Sequence, residues 1–145
     1  MTETTYDLDR FLVAQKDVYN RALQELRAGE KHTHWMWFIF PPLAGVFESD
    51  AARRYAMSGL DEARAYLAHP LLGARLEKCC GLLLDTGDAA AESMLGSGDA
   101  LVLRACMTLF GQFHYEGIFD EVLAAYFEGL QHATTLELLA GAMQE

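Results

Sequence analysis

The residues best suited to chemistry fall in two short segments of this 145-residue chain. The first, residues 31–42, holds both tryptophans, two of the five histidines and two of the three prolines, and we call it the aromatic segment. His32 and His34 lie two residues apart, whereas a metal-binding pair on a helix needs a spacing of four. A histidine beside aromatic rings either has its hydrogen bonds satisfied locally or lines a cleft, where it could exchange protons near neutral pH. His34 is therefore a candidate ligand-binding residue.

The aromatic segment also has a structural interpretation. Its large apolar side chains, Trp35, Met36, Phe38 and Ile39, are favoured as a plug that fills the core. A buried indole N–H needs a hydrogen-bond acceptor, so a tryptophan there must find a polar partner. We predict that Trp35 or Trp37 is a core anchor, and we keep Trp37 as a possible wall of a binding site.

The second segment, residues 99–110, contains the one cation that follows Lys78 in the sequence, Arg104. An arginine in so apolar a helix must find an acceptor, because burying it unpaired would cost several kcal/mol, about 3–5. One interpretation is an internal salt bridge to a carboxylate, with these candidates: Glu92, Asp99, Glu116 and Asp120. The other is capture of an anion by the guanidinium, with Thr108 one helical turn away as a hydroxyl donor.

These two segments predict one cleft, between residues 34–41 and the helix over residues 100–113. It would take a small anionic or planar ligand, with five candidate ligand-binding residues: His34, Trp37, Arg104, Thr108 and Phe110. No nucleophile is identified, so the sequence leaves open whether the chain is an enzyme. It contains no glycine-rich phosphate loop, dinucleotide fingerprint or zinc signature, and we expect neither a cofactor nor a metal.

The elements that position these residues are predicted to be helices. Apolar residues recur at helical spacing almost everywhere, and no stretch alternates with period two. The pattern predicts a single all-α domain, residues 1–145, of about seven or eight short helices, with residues 1–6 as a flexible tail. The predicted helices cover residues 7–28, 50–58, 62–68, 70–84, 88–95, 100–113, 119–127 and 135–143, with Ser49 and Thr134 or Thr135 among the caps.

Composition narrows the classes of partner. Eleven basic and 21 acidic residues give a net charge of −10, which argues against nucleic acid and anionic membranes as partners. Three cysteines, two of them adjacent, fit small buried residues in a reducing compartment, and the N-terminus lacks a signal peptide, so we expect a cytoplasmic protein.

An alternative function is a protein–protein interaction module with an acidic helical surface and no catalytic activity. That alternative requires an exposed apolar patch, for example around Phe113, Tyr115 and Phe119. The oligomeric state is not predicted.

Several stretches of the chain resemble the bacterial domain-of-unknown-function family 1810, whose members are also labelled calpastatin-like. The run Trp35-Met36-Trp37-Phe38-Ile39-Phe40-Pro41 is highly specific, and the resemblance spans nearly the whole chain. Other matching stretches are residues 6–11, 22–29, 69–73, 107–110 and 126–129. The resemblance implies an all-helical single domain with no established enzyme activity.

The chain departs from the usual pattern of that family at four positions. Pro42 stands where the family tends to have glutamine, Val102 where it has a basic residue, and Ala105 and Cys106 where it has serines. If relatives build a polar site on that helix, this chain lacks part of it.

Overall fold

The computed structural model describes residues 6–86, 91–113 and 117–143, and within these ranges the chain forms ten α-helices. Seven of them contain seven or more residues, and the one β-type pairing in those ranges is an isolated parallel bridge between Leu43 and Met57. The predicted all-α fold is confirmed. The helices are α1 (Asp9–Gln15), α2 (Tyr19–Ala28), α3 (Met36–Ile39), α4 (Asp50–Tyr55), α5 (Leu60–Ala68), α6 (Leu72–Thr86), α7 (Ala91–Leu95), α8 (Ser97–Phe110), α9 (Ile118–Phe127) and α10 (Ala133–Met143).

Helix α8 lies at the centre of the fold. It packs against α3, α5, α7, α9 and α10, while α6 contacts α2, α5 and α9. A helix that is apolar on nearly all sides is stable in water only when neighbours cover it. Nine consecutive or nearly consecutive residues of α8 are buried: Ala100, Val102, Leu103, Ala105, Cys106, Met107, Thr108, Leu109 and Phe110.

The helix predicted over residues 7–28 is two helices, α1 and α2, separated by a turn at residues 16–18. Gln15, which ends α1, is completely buried, and its amide donates to the carbonyl of Phe38 at 2.7 Å and to the Tyr66 hydroxyl at 3.2 Å. The turn lets α1 face these acceptors while α2 packs on α6. Helical spacing continues through residues 16–18, so it did not indicate the break.

Two of the predicted helix boundaries depend on side chains. Ser49 caps α4 as predicted, with its hydroxyl accepting from the Ala52 N–H at 3.1 Å. Pro70 was predicted to open the next helix, but α6 begins at Leu72. The reason is that His69 Nδ1 accepts from the N–H groups of Leu71 and Leu72, at 3.1 and 3.2 Å, and so supplies the cap itself.

The corner between α5 and α6 depends on glycine. A Cβ on Gly73 would lie 2.0 Å from the carbonyl oxygen of Leu67. Only a residue without a side chain allows the two helices to approach this closely.

No helix in the described ranges is both long and apolar enough to cross a membrane. The flexible tail predicted for residues 1–6 lies outside the described residues except for Tyr6.

Candidate functional site

Arg104 projects from α8 onto the connection between α9 and α10. Its Nε donates to the carbonyl of Leu130 at 2.8 Å, and its Nη2 donates to the carbonyl of Gln131 at 3.0 Å. The connection starts with two left-handed residues, Glu128 (φ 57°) and Gly129 (φ 76°), which turn the chain back toward α8. Among the described residues Arg104 thus binds neutral carbonyls rather than a carboxylate, and its positive charge is not neutralised by them. Glu116, one of the predicted salt-bridge partners, lies outside the described residues.

Thr108, one turn further along α8, continues the same set of contacts. It is completely buried; its hydroxyl donates to the carbonyl of Arg104 at 2.8 Å and accepts from the N–H of His132 at 2.8 Å. Both hydrogen-bonding roles of the hydroxyl are therefore used inside the protein. Thr108 fixes the start of α10 and has no surface to offer a ligand.

His132 is a residue of this region that sequence reasoning missed. Its Nδ1 accepts from the N–H of Thr135 at 3.3 Å and lies 3.0 Å from the Thr135 hydroxyl. This contact caps α10, so the predicted cap at Thr134 or Thr135 is replaced by a histidine one residue before the helix. Burial, together with the charge of Arg104, lowers the pKa of the imidazole below its usual 6.5.

Trp37 reaches the same region through two intervening rings. Its indole meets Phe47 edge-on, with 5.4 Å between centroids, and Phe47 lies 6.2 Å from the imidazole of His132. Trp37 and Phe47 are both half-buried. The rings of Trp37, Phe47 and His132 thus form a continuous aromatic column. His132 connects this column to Thr108 through its backbone N–H, and the charge of Arg104 acts on its imidazole.

Phe110 and His34 lie elsewhere. The Phe110 ring is fully buried in the core, 5.6 Å from Tyr66 and 5.8 Å from Phe119. His34 is exposed and makes no hydrogen bond with the described part of the chain. Phe110 was predicted as a ligand-binding residue, but the helical spacing of α8 places it away from the cleft. Residues 104 and 108 share one face of the helix, whereas residue 110 points away from that face.

A cleft borders Arg104 between α7, α8 and α9, whereas the predicted cleft lay between residues 34–41 and the helix over residues 100–113. Its volume is about 510 Å³, and its walls include the half-buried rings of Tyr126 and Phe127. The Tyr126 hydroxyl donates to the carbonyl of Leu83, which fixes the ring, and burial raises its pKa. We call this space the Arg104 cleft; it is lined by Ala91, Glu92, Ser97, Ala100, Leu101, Arg104, Tyr126 and Phe127.

The family of the chain follows from sequence comparison. A family described as "Protein of unknown function (DUF1810)" matches residues 5–139. The chain belongs to the DUF1810 family. It is similar to the conserved hypothetical protein Rv1873 from Mycobacterium tuberculosis, whose crystal structure shares 45% sequence identity with it, with a TM-score of 0.90. That likeness covers 93% of this chain and 97% of the mycobacterial one. No functionally curated protein matches the chain significantly.

The aromatic segment of this DUF1810 protein is anchored by a glutamate that sequence reasoning missed. Glu25 is 8% exposed and accepts from Trp35 Nε1 at 2.9 Å, from the N–H groups of His32 and Thr33, and from the Thr33 hydroxyl. Burial would raise the pKa of this carboxyl, but the four hydrogen bonds outweigh it and hold the pKa at about 2. The signal was available, because a buried indole N–H requires an acceptor.

A salt bridge fastens the start of the aromatic segment to α8. Lys31 Nζ lies 2.8 Å from Asp99 Oδ2 and 5.2 Å from the centroid of the Trp35 ring, and its side chain is 9% exposed. Trp35 itself is 1% exposed. Trp35 is therefore the predicted core anchor, while Trp37 is the more open of the two tryptophans.

The three cysteines of the DUF1810 chain are small buried residues, as predicted. Cys79, Cys80 and Cys106 are all free thiols in the core, and burial raises the pKa of each, to about 12 for Cys79. A thiol with a raised pKa is a poor nucleophile at neutral pH. Among the described residues, no group of three or more histidine, cysteine, aspartate or glutamate side chains could hold a metal ion.

Proposed function

We propose that this DUF1810 protein binds a small planar monocarboxylate in the Arg104 cleft. The carboxylate would pair with the guanidinium of Arg104, and the planar part would lie against Tyr126 and Phe127. The predicted ligand class is thus retained, with the α9 rings in place of Phe110 as the aromatic wall. The proposal involves binding and assigns no reaction.

One observation carries the proposal: a fixed guanidinium borders a cleft with aromatic walls. Carbonyl contacts hold two nitrogens of Arg104, and Nη1 donates to no partner in the described part of the chain. A guanidinium fixed in advance loses little side-chain entropy when it binds an anion. A volume of about 510 Å³ lies in the usual range of small-molecule sites.

Charge supports a monoanion over a polyanion. Residues 79–145 contain ten carboxylates and Arg104 as their one cation, and Glu92 lines the cleft itself. These acidic side chains would repel a ligand with several negative charges, whereas the charge of a single carboxylate is matched by one guanidinium.

The test is calorimetric titration and thermal shift with benzoate, larger heteroaromatic monocarboxylates and the primary amides of the same acids. We expect saturable binding of a carboxylate and none of its neutral amide. Arg104→Gln should weaken binding roughly 10- to 100-fold, since a charged hydrogen bond is worth about 1.5–3 kcal/mol. Glu92→Gln should strengthen it, and it also tests the cleft without touching the contacts that hold the α9–α10 connection.

Arg64→Gln provides the matched control, because Arg64 is exposed on α5 and distant in sequence from the cleft. The proposal is wrong if acids and amides bind alike, or if Arg64→Gln and Arg104→Gln weaken binding to the same extent. It is also wrong if no carboxylate binds to the folded wild-type chain.

A second candidate is a protein–protein interaction module. The patch required for it at residues 113–119 does not serve, since Phe119 is buried, Phe113 is half-buried under Arg64, and Tyr115 lies outside the described residues. The observation that favours it is a different pair of exposed leucines, Leu101 (42%) and Leu130 (56%), near Arg104. A double Leu101→Lys, Leu130→Lys variant should then lose a partner that the wild-type chain retains in affinity capture, with unchanged thermal stability.

A further inference from the structure

Four basic side chains are half-buried in the described part of the protein: Arg10, Lys31, Arg75 and Arg104. Arg10 pairs with Glu62 at 3.0 Å, Lys31 pairs with Asp99, and Arg104 has two backbone carbonyls. Arg75, on α6, differs from the other three. Its one acceptor in the described residues is the neutral side-chain amide of Gln15, at 3.1 Å from Nη1.

Arg75 is nevertheless held in place on two sides. The guanidinium carbon lies 4.5 Å from the centroid of the half-buried Tyr19 ring, which places the charge over the ring face. Nη1 is anchored by Gln15, whose own amide nitrogen is engaged by Phe38 and Tyr66 inside the core. The buried amide therefore fixes the guanidinium, while Nε and Nη2 have no partner in the described chain.

A second positive charge acts at the same place. Burial raises the pKa of the Tyr19 hydroxyl, and the charges of Arg75 and Arg27 both oppose that rise. Neither arginine forms a salt bridge with a carboxylate of the described residues. The Tyr19 ring thus lies against the Arg75 guanidinium, and Arg27 lies on the same helix α2 as Tyr19, on a chain whose net charge is −10.

We propose that Arg75, Arg27 and the Tyr19 hydroxyl, on the surface where α2 meets α6, form a binding site for the phosphate group of a small phosphomonoester. The Nε and Nη2 edge of a guanidinium matches two oxygens of a phosphate, and the phenol adds a neutral donor. A dianion suits two positive charges, which distinguishes this site from the single guanidinium of the Arg104 cleft. The site is independent of the proposed function, because it uses other helices and other residues.

The test follows the arginine Nε–H signals by NMR while phosphate compounds are added at constant ionic strength. The probes are inorganic phosphate, glycerol phosphate as a monoester dianion, and dimethyl phosphate as a singly charged diester. We expect a saturable shift of the Arg75 signal with glycerol phosphate. Inorganic phosphate should bind comparably if the phosphate alone is recognised and more weakly if the ester part adds contacts, and the diester should bind at least about 10-fold more weakly.

Two variants and a control make the result decisive. Arg75→Lys keeps the charge but removes the planar pair of donors, and we expect at least about a 10-fold loss of affinity. Arg27 is exposed, so Arg27→Gln leaves the core unchanged and should weaken binding several-fold. Arg64→Lys is the matched control, since Arg64 also lies over an aromatic ring, Phe113 at 5.4 Å, but lacks a buried amide anchor.

The proposal is overturned if the shifts grow linearly without saturating, or if all arginine signals move alike. It is equally overturned if Arg27→Gln binds glycerol phosphate as tightly as the wild type and the control Arg64→Lys do, and if Arg75→Lys lowers the melting temperature without lowering that affinity. Arg104→Gln should leave phosphate binding unchanged, so failure of the Arg104 cleft and failure of this site are distinguishable.

Discussion

Trp35 and Trp37 lie in one segment, but their side chains have different surroundings. Trp35 is 1% exposed with its indole N–H bonded to Glu25, whereas Trp37 is half-buried against Phe47. Trp35→Ala should cost on the order of 3–5 kcal/mol of unfolding free energy, because it leaves a large cavity and removes one of the four hydrogen bonds of the buried Glu25 carboxylate. Trp37→Ala should cost less, about 1–2 kcal/mol. Urea unfolding of both variants measures the difference, and equal losses would contradict the assignment of Trp35 as the anchor.

Glu25 predicts how stability changes in acid. Its pKa is about 2 in the folded chain and 4.5 in an unperturbed one, so the ionised form favours folding. This contribution is complete above pH 4.5 and is lost as the pH falls through about 2. Glu25→Gln should therefore lower stability at neutral pH by roughly 2 kcal/mol and flatten the acid limb of the stability curve. Urea unfolding across this pH range measures both effects, and Glu30→Gln, at an exposed position nearby, should leave that limb unchanged.

The helices differ in how far the sequence could predict them. Gly29, with a φ of 74°, ends α2 where predicted, and Ser49 caps α4, because both act through local geometry. The break after Gln15 depends on acceptors 23 and 51 residues away, so no local pattern could indicate it.

The candidate site shows the same distinction between local and distant contacts. The sequence placed Arg104 and Thr108 on one face of α8, which the structure reproduces. The partners of Arg104 are carbonyls 26 and 27 residues further on, and their position depends on the backbone turn at residues 128–129. Every residue has a backbone carbonyl, so the sequence cannot indicate which carbonyl accepts a hydrogen bond. The sequence therefore left a salt bridge between Arg104 and a carboxylate as an open interpretation.

The start of α10 should respond to pH through His132. Its pKa is lowered in the folded chain, so the neutral ring favours folding, and that contribution is complete above the usual value of 6.5 and lost as the pH falls below it. Protonation removes the Nδ1 acceptor of the cap and adds a cation at a helix N-terminus beside Arg104. Hydrogen exchange of α10 amides should therefore quicken between about pH 7 and pH 5.

Two variants at residue 132 test this effect. His132→Asn keeps a capping acceptor that does not titrate, so exchange in α10 should no longer depend on pH beyond the intrinsic chemistry. His132→Ala should cost about 1 kcal/mol at neutral pH through loss of the cap. A wild-type chain whose α10 exchanges at the same corrected rate at both pH values would contradict the prediction.

The whole molecule carries its negative charge unevenly. Residues 1–78 have ten basic and eleven acidic side chains, whereas residues 79–145 have one basic and ten acidic. Repulsion within the second half destabilises the compact state, and salt screens it. We expect the melting temperature to rise by about 3 °C between low and physiological ionic strength. Glu121→Lys, at an exposed position of α9, should raise the melting temperature at low salt by part of this amount. A melting temperature that does not depend on salt would contradict the prediction.

The burial of Lys31 also has a consequence for chemical labelling. The chain has three lysines, of which Lys16 and Lys78 are exposed, while Lys31 is held between Asp99 and the Trp35 ring. An acylating reagent that attacks free amines will therefore modify Lys16 and Lys78 quickly, and Lys31 only when the aromatic segment detaches from α8. The rate at which the Lys31 side chain is acylated, followed by peptide mass mapping, thus reports local opening without any engineered probe.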